Sequence, residues 1–159
     1  MLRWRRDPAF RRFLVPDPPN VDGFTRWVAD SASIEPWTLR GIVFEGRLIG
    51  YCCIDDVNPT IGKAQVGILI GDTDCWGRGI GTRVMSMLID HCFDNLDLHR
   101  LLAVIARGNE RSIGLFESLG FMHEGTLRDG TLVEGARADL LCYSLLRPER
   151  KDDRDRSDN

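Results

Sequence analysis

Between residues 80 and 96 apolar side chains recur every fourth position, at Ile80, Val84, Leu88, Cys92 and Leu96, with Met85, Ile89 and Phe93 widening the stripe. That spacing predicts one amphipathic helix over residues 79–96 with a buried face. Residues 38–44 and 47–55 are rich in apolar and β-branched types and flank Glu45-Gly46, the pattern of a hairpin. The turn-forming run Asn58-Pro59-Thr60-Ile61-Gly62 leads into an apolar strand over 64–70. A second compact apolar run, 101–106, follows strand, loop and helix, which predicts a βαβ crossover and a parallel pair. A short helix over 109–119 ends at Gly120, and residues 121–133 and 137–146 form a closing antiparallel pair. Upstream, residues 4–14 carry Trp4, Phe10, Phe13 and Leu14 on a predicted helix that Val15-Pro16-Asp17-Pro18-Pro19 terminates, and residues 22–32 form a second. The fold class is mixed α/β.

Composition narrows the options. A chain of 159 residues suits one domain, here residues 1–148, able to bury roughly two thirds of its unfolded surface. Beyond Pro148 both charge signs alternate with almost no apolar residue, so residues 149–159 are expected to be a solvated, disordered tail. A formal charge of -3 leaves no footprint for a nucleic-acid partner. No apolar run approaches the ~20 residues of a membrane span, and Met1-Leu2-Arg3-Trp4-Arg5-Arg6 is not followed by a signal-peptide core. The expectation is a cytoplasmic protein without a membrane partner. Five cysteines, none in a Cys-x-x-Cys pair, fit reduced thiols, and the three histidines lack the spacing of metal ligands.

The chemistry concentrates in Ile68-Leu69-Ile70-Gly71-Asp72-Thr73-Asp74-Cys75-Trp76-Gly77-Arg78-Gly79-Ile80-Gly81-Thr82, an apolar strand, a glycine-rich loop and the start of a helix. Glycines admit backbone conformations closed to other residues and leave no Cβ in the way of a ligand. Loop amides and the positive end of the helix dipole then suit a phosphate. The mononucleotide P-loop needs a lysine after its glycines, and none is present. The dinucleotide fingerprint needs a glycine at position 82 or 84, where Thr82 and Val84 stand.

Together with Asn109-Glu110-Arg111-Ser112-Ile113-Gly114-Leu115-Phe116-Glu117-Ser118-Leu119-Gly120-Phe121, this loop resembles the GNAT superfamily of N-acetyltransferases. Trp76, and the segments Asn95-Leu96-Asp97-Leu98-His99-Arg100, Glu124-Gly125, Leu127-Arg128 and Asp139, are similar to the branch of ribosomal-protein N-terminal acetyltransferases and spermidine acetyltransferases. The resemblance implies a twisted, mostly antiparallel sheet flanked by helices and splayed between the two parallel strands. Acetyl-CoA would be the cosubstrate, its pantetheine arm in the gap along Ile68, Leu69 and Ile70. Its pyrophosphate would lie over Trp76, Gly77, Arg78, Gly79, Ile80, Gly81 and Thr82, with Asn109, Ser112 and Phe116 on the opposite wall.

Two departures from the family pattern matter. Trp4-Arg5-Arg6-Asp7-Pro8 resembles the middle of the family's first helix, so the first edge strand is expected to be missing. Residues 38–44 would then be left as an edge, which makes a homodimer plausible. Phe116 stands where many members place a tyrosine that protonates the leaving thiolate, and phenylalanine holds no transferable proton.

The implied reaction is attack of a primary amine on the thioester. A lysine-like amine has a pKa near ~10.4 and a thiol near ~8.5, so the base matters more than the acid. Asp55 is the chosen base, with Asp56 and Glu124 as the other carboxylates weighed, and Ser112 or a water it holds is assigned to the thiolate. Asn109 is read both as a helix N-cap and as a partner of the pantetheine amides. Gln65 stands where this branch often has Glu, which moves the acceptor from a polyamine towards a peptide N-terminus or small amine. The rival readings are a non-catalytic acyl-CoA binding module and, more weakly, an interaction protein.

Overall fold

The computed structural model describes Trp4, Phe13 and residues 39–150. The helices expected over 4–14 and 22–32 therefore lie outside the described residues, those two aromatics excepted, as does the chain beyond Arg150.

Among the described residues six strands form one sheet in the order β1-β2-β3-β4-β6-β5. They are β1 (Leu39–Phe44), β2 (Arg47–Asn58), β3 (Lys63–Ile70), β4 (Arg100–Ala106), β5 (Met122–Val133) and β6 (Ala136–Leu146). Every neighbouring pair is antiparallel except β3 and β4. Among the described residues β1 is the outermost strand on its side. Glu45 and Gly46 take φ of 50° and 73°, the pair of positive values a two-residue hairpin turn requires.

The strand β2 runs three residues past its expected end at Asp55, to Asn58. Asp56 holds φ 47° there and the register slips, so a segment that reads as a turn stays in the sheet as a bulge. A second bulge places Ile49 between the partners of Ile42 and Val43, and Ile49 becomes fully buried with Ile42 and Cys75.

The helix α1 spans Ile80–Asp90 and continues as a π turn over His91–Asn95, where the four-residue spacing predicted one uniform helix. Met85, Leu88, Ile89, Cys92 and Phe93 pack on the sheet residues Ala64, Val66, Leu101, Ala103 and Leu145. Each large side chain so buried contributes about 1.5–3 kcal/mol. The helix α2 spans Glu110–Ser118; Asn109 caps it by accepting from the Ser112 amide at 3.3 Å. On the opposite face of the sheet Trp4 packs with Leu39, Tyr51 and Leu69, so close to Gly71 that a Cβ there would enter the indole ring.

Two residues assigned by charge pattern to the tail are bonded to the domain. Glu149 accepts from the Leu146 amide at 2.9 Å, and Arg150 pairs with Asp90 at 3.3 Å and Asp94 at 2.7 Å. Mixed charge along a segment says nothing of the partners a helix end can offer it, and here the end of α1 offers two carboxylates.

The feature that makes a site is the join between β3 and β4. Only Lys63, Ala64 and Gln65 pair with Arg100, Leu101 and Leu102; beyond them the strands part. Each keeps its outer partner, β3 pairing with β2 as far as Ile70 and β4 with β6 as far as Ala106.

Candidate active site

The parted strands form the walls of a cleft of about 1110 Å³, closed at its mouth by residues 76–82 and the first turn of α2. Ile68, Leu69 and Ile70 line one wall, and Asn109, Ser112 and Phe116 another. Trp76, Gly77, Gly79, Ile80, Gly81 and Thr82 reach it as well. Arg78 does not. Its guanidinium sits 4.8 Å from the Phe44 ring and pairs with Glu45 at 3.6 Å, away from the cleft, leaving only its backbone at the loop.

Two further details of the loop differ from its sequence reading. The Trp76 amide donates to the Thr73 carbonyl at 3.0 Å and is spent. From Gly77 to Thr82, by contrast, no backbone N–H donates to another described residue. Gly77 and Gly79 both hold φ +71°, with open space where a Cβ would sit, so conformation alone demands glycine there. Gly81 carries no left-handed φ, and a Cβ on it would make ordinary contact with Ile70 at 3.5 Å and Leu115 at 3.6 Å. No side chain among the described residues caps α1 either, so its positive end and the row of unspent amides face the cleft together.

Trp76 is fixed by its indole N–H, which donates at 2.8 Å to the Ile70 carbonyl, a group the splay leaves without a β4 partner. Arg111 lies over that ring at 3.7 Å and also lines the cleft. Sequence reasoning passed over Arg111. The available signal was a cation in the first turn of a helix, where the dipole disfavours it.

Phe116 is 3% exposed and meets Phe121 edge to face at 5.0 Å, forming the apolar floor beneath α2. Ser112 sits one turn before it, its amide held by Asn109 and its hydroxyl without a partner among the described residues. The Asn109 cap uses only the side-chain oxygen, leaving the amide NH2 for the cleft.

The three carboxylates weighed as bases are separated by their surroundings. Asp56 is tied to Lys63 at 3.0 Å on the exposed rim. Glu124 is bound by Arg100 and by the Ser144 hydroxyl, at 2.7 Å for the latter, and these hydrogen bonds hold its carboxyl below the usual range. Asp55 is pushed up instead, chiefly by burial, with the Cys53 thiol partly offsetting the rise. It stands opposite Gln65, which in turn faces Leu102 in the last pair before the strands part. Asp55 thus sits one strand away from the closed end of the cleft and does not line the cleft itself.

Residues 1–122 match the family model described as acetyltransferase (GNAT) domain. This chain belongs to the GNAT acetyltransferase family. YdaF of Bacillus subtilis, named provisionally as a ribosomal N-acetyltransferase, is 34% identical over 141 residues, covering 89% of this chain and 71% of YdaF. The spermidine N(1)-acetyltransferase of Escherichia coli is 28% identical over 57% of this chain and 48% of its own length. Among solved structures, the spermidine N-acetyltransferase of Vibrio cholerae in complex with CoA and spermine superposes with a TM-score of 0.79 at 20% identity, covering 92% of this chain and 88% of that one. Mycobacterium smegmatis RimJ in complex with CoA-disulfide gives 0.77 at 22% identity, over 89% and 72%. The last two establish likeness of fold. Family membership makes the chain an acetyl-CoA-dependent acyltransferase. The cleft suits that donor, since its apolar walls end in unspent amides where a diphosphate needs them.

Proposed function

We propose that the chain acetylates the primary amine of a peptide N-terminus or of a small amine by direct attack on acetyl-CoA. The observation that carries this reading is the splay of β3 and β4, which opens the sheet beside Asp55 and ends in the free amides of residues 77–82. The cosubstrate supplies the activated acetyl group. The side chains orient it and move protons: Asp55, which does not itself line the cleft, takes the proton from the attacking ammonium through a water. The amine nitrogen bonds to the thioester carbon, the C–S bond breaks as the tetrahedral intermediate collapses, the sulfur leaves as thiolate, and the second proton shed by the nitrogen passes through water to that thiolate. Ser112 or a water on its hydroxyl supports that thiolate, because Phe116 has no proton to give.

The names of the relatives support an amine acceptor of either kind. Gln65 beside Asp55 favours the less cationic one, because a polyamine would lose a carboxylate partner at that position. Five free cysteines fit a reducing compartment, which supports a cytoplasmic place for the reaction. The test measures thiol release from acetyl-CoA across N-terminal peptides, polyamines and small amines. We expect acceptor-dependent release with peptides or monoamines exceeding that with spermidine; a panel in which only polyamines are turned over overturns the assignment.

A further inference from the structure

We propose that Arg111 binds a phosphate group of the CoA moiety, and that Trp76 is the platform that holds its guanidinium in place. The inference rests on the reading of the cleft as the acyl-donor site and adds a residue that the loop motif does not contain.

The first observation is electrostatic. Among the described residues, Arg111 is the one Lys or Arg side chain that lines the cleft. Arg78, inside the glycine loop, points to Phe44 and Glu45. The acyl donor carries several phosphate charges, and the amides of residues 77–82 contribute only partial ones. Among the described residues a full positive charge at the mouth therefore falls to Arg111, with the neighbouring Glu110 on the same rim as its local opponent.

The second observation is geometric. The Arg111 guanidinium carbon lies over the Trp76 ring, 3.7 Å from its centroid, a cation–π contact. No described residue accepts a hydrogen bond from its N–H donors. A guanidinium held over a ring with its donors unspent suits phosphate oxygens. The platform is itself anchored, since the Trp76 indole N–H donates to the Ile70 carbonyl at 2.8 Å. Side chain, ring and strand end thus form one rigid series.

The third is positional. Arg111 is the second residue of α2, where the helix dipole opposes a cation. An anion docked between the starts of α1 and α2 removes that conflict by meeting both helix ends and the guanidinium at once.

The decisive experiment titrates CoA and dephospho-CoA into the full chain by calorimetry at several salt concentrations, which requires no acceptor and no turnover. Arg111→Ala is expected to weaken CoA binding about tenfold and to flatten its dependence on salt, while the charge-keeping Arg111→Lys recovers part of both. Trp76→Leu should reproduce much of the loss, and adding Arg111→Ala to it should cost little more, because the two act as a unit. Equal losses with CoA and dephospho-CoA assign the contact to the diphosphate; a loss confined to CoA assigns it to the 3′-phosphate. Wild-type affinity in Arg111→Ala, or a loss with unchanged salt dependence, overturns the proposal. Failure of the amine panel with Arg111-dependent CoA binding intact would count against the acetyl-transfer reading alone.

Discussion

At Asp55 the sequence offers only one carboxylate among several, and the structure supplies the distinction between them. Burial raises its pKa, while the Arg100 and Ser144 partners lower that of Glu124. A base for an amine gains strength as its own pKa rises towards the working pH. The pH profile should report this. Activity requires an ionised Asp55 to take the proton of the bound ammonium, so kcat/KM falls with acid where Asp55 takes up its own proton, above the ordinary carboxylate value of about 3.9. Asp55→Asn should remove that acid limb and lower kcat/KM by about 10²-fold or more. A variant that keeps both the rate and the acid limb would show that another group accepts the proton. The contrast between Asp55 and Glu124 was illegible in sequence, because it depends on which strands are neighbours, and Arg100 and Ser144 lie 24 and 20 residues from Glu124. The glycine loop was legible because positive φ at Gly77 and Gly79 is a local demand.

Elements were legible to the extent that their periodicity was local. Apolar spacing of four, held through Ile80, Val84, Leu88, Cys92 and Leu96, drifts about 40° per step around an ideal helix. A π turn over His91–Asn95 absorbs the drift and keeps Cys92 and Phe93 fully buried. Helix and face were therefore readable, and the change of winding was hidden in the same numbers. The closing strands β5 and β6 were readable too, but not what ties them to β4: Arg100 on β4, Glu124 on β5 and Ser144 on β6 form one polar clasp. Since the folded pKa of Glu124 is lowered from 4.5, its contribution is present above that value and is lost as pH falls through the lowered one. Glu124→Gln should lower Tm at neutral pH by up to about 3 °C, the partial exposure of the pair limiting the effect. The gap to wild type should close in acid. A gap independent of pH would assign the loss to packing rather than charge.

On the scale of the whole molecule the sheet of the described residues is two three-stranded halves, β1-β2-β3 and β4-β6-β5, joined by the short β3–β4 ladder and by the helices packed across it. The parallel join followed from the βαβ order, but its early end did not, because a splay leaves strand residues apolar on both walls just as continued pairing would. Parting the strands has a cost: the facing backbone edges beyond Gln65 and Leu102 forgo their ladder bonds. A ligand arm lying between them would return those bonds and tie the halves together. Binding to the folded state alone raises stability by about 2.7 kcal/mol at a ligand concentration of one hundred times Kd. CoA should therefore raise Tm in a concentration-dependent way. It should slow amide hydrogen exchange in residues 66–70, 77–82 and 103–106 more than along β5 and β6, which do not meet the cleft. Protection spread evenly over all six strands would mean that CoA stabilises the fold without occupying the gap, and protection confined to residues 77–82 would mean that its diphosphate docks while its arm stays outside.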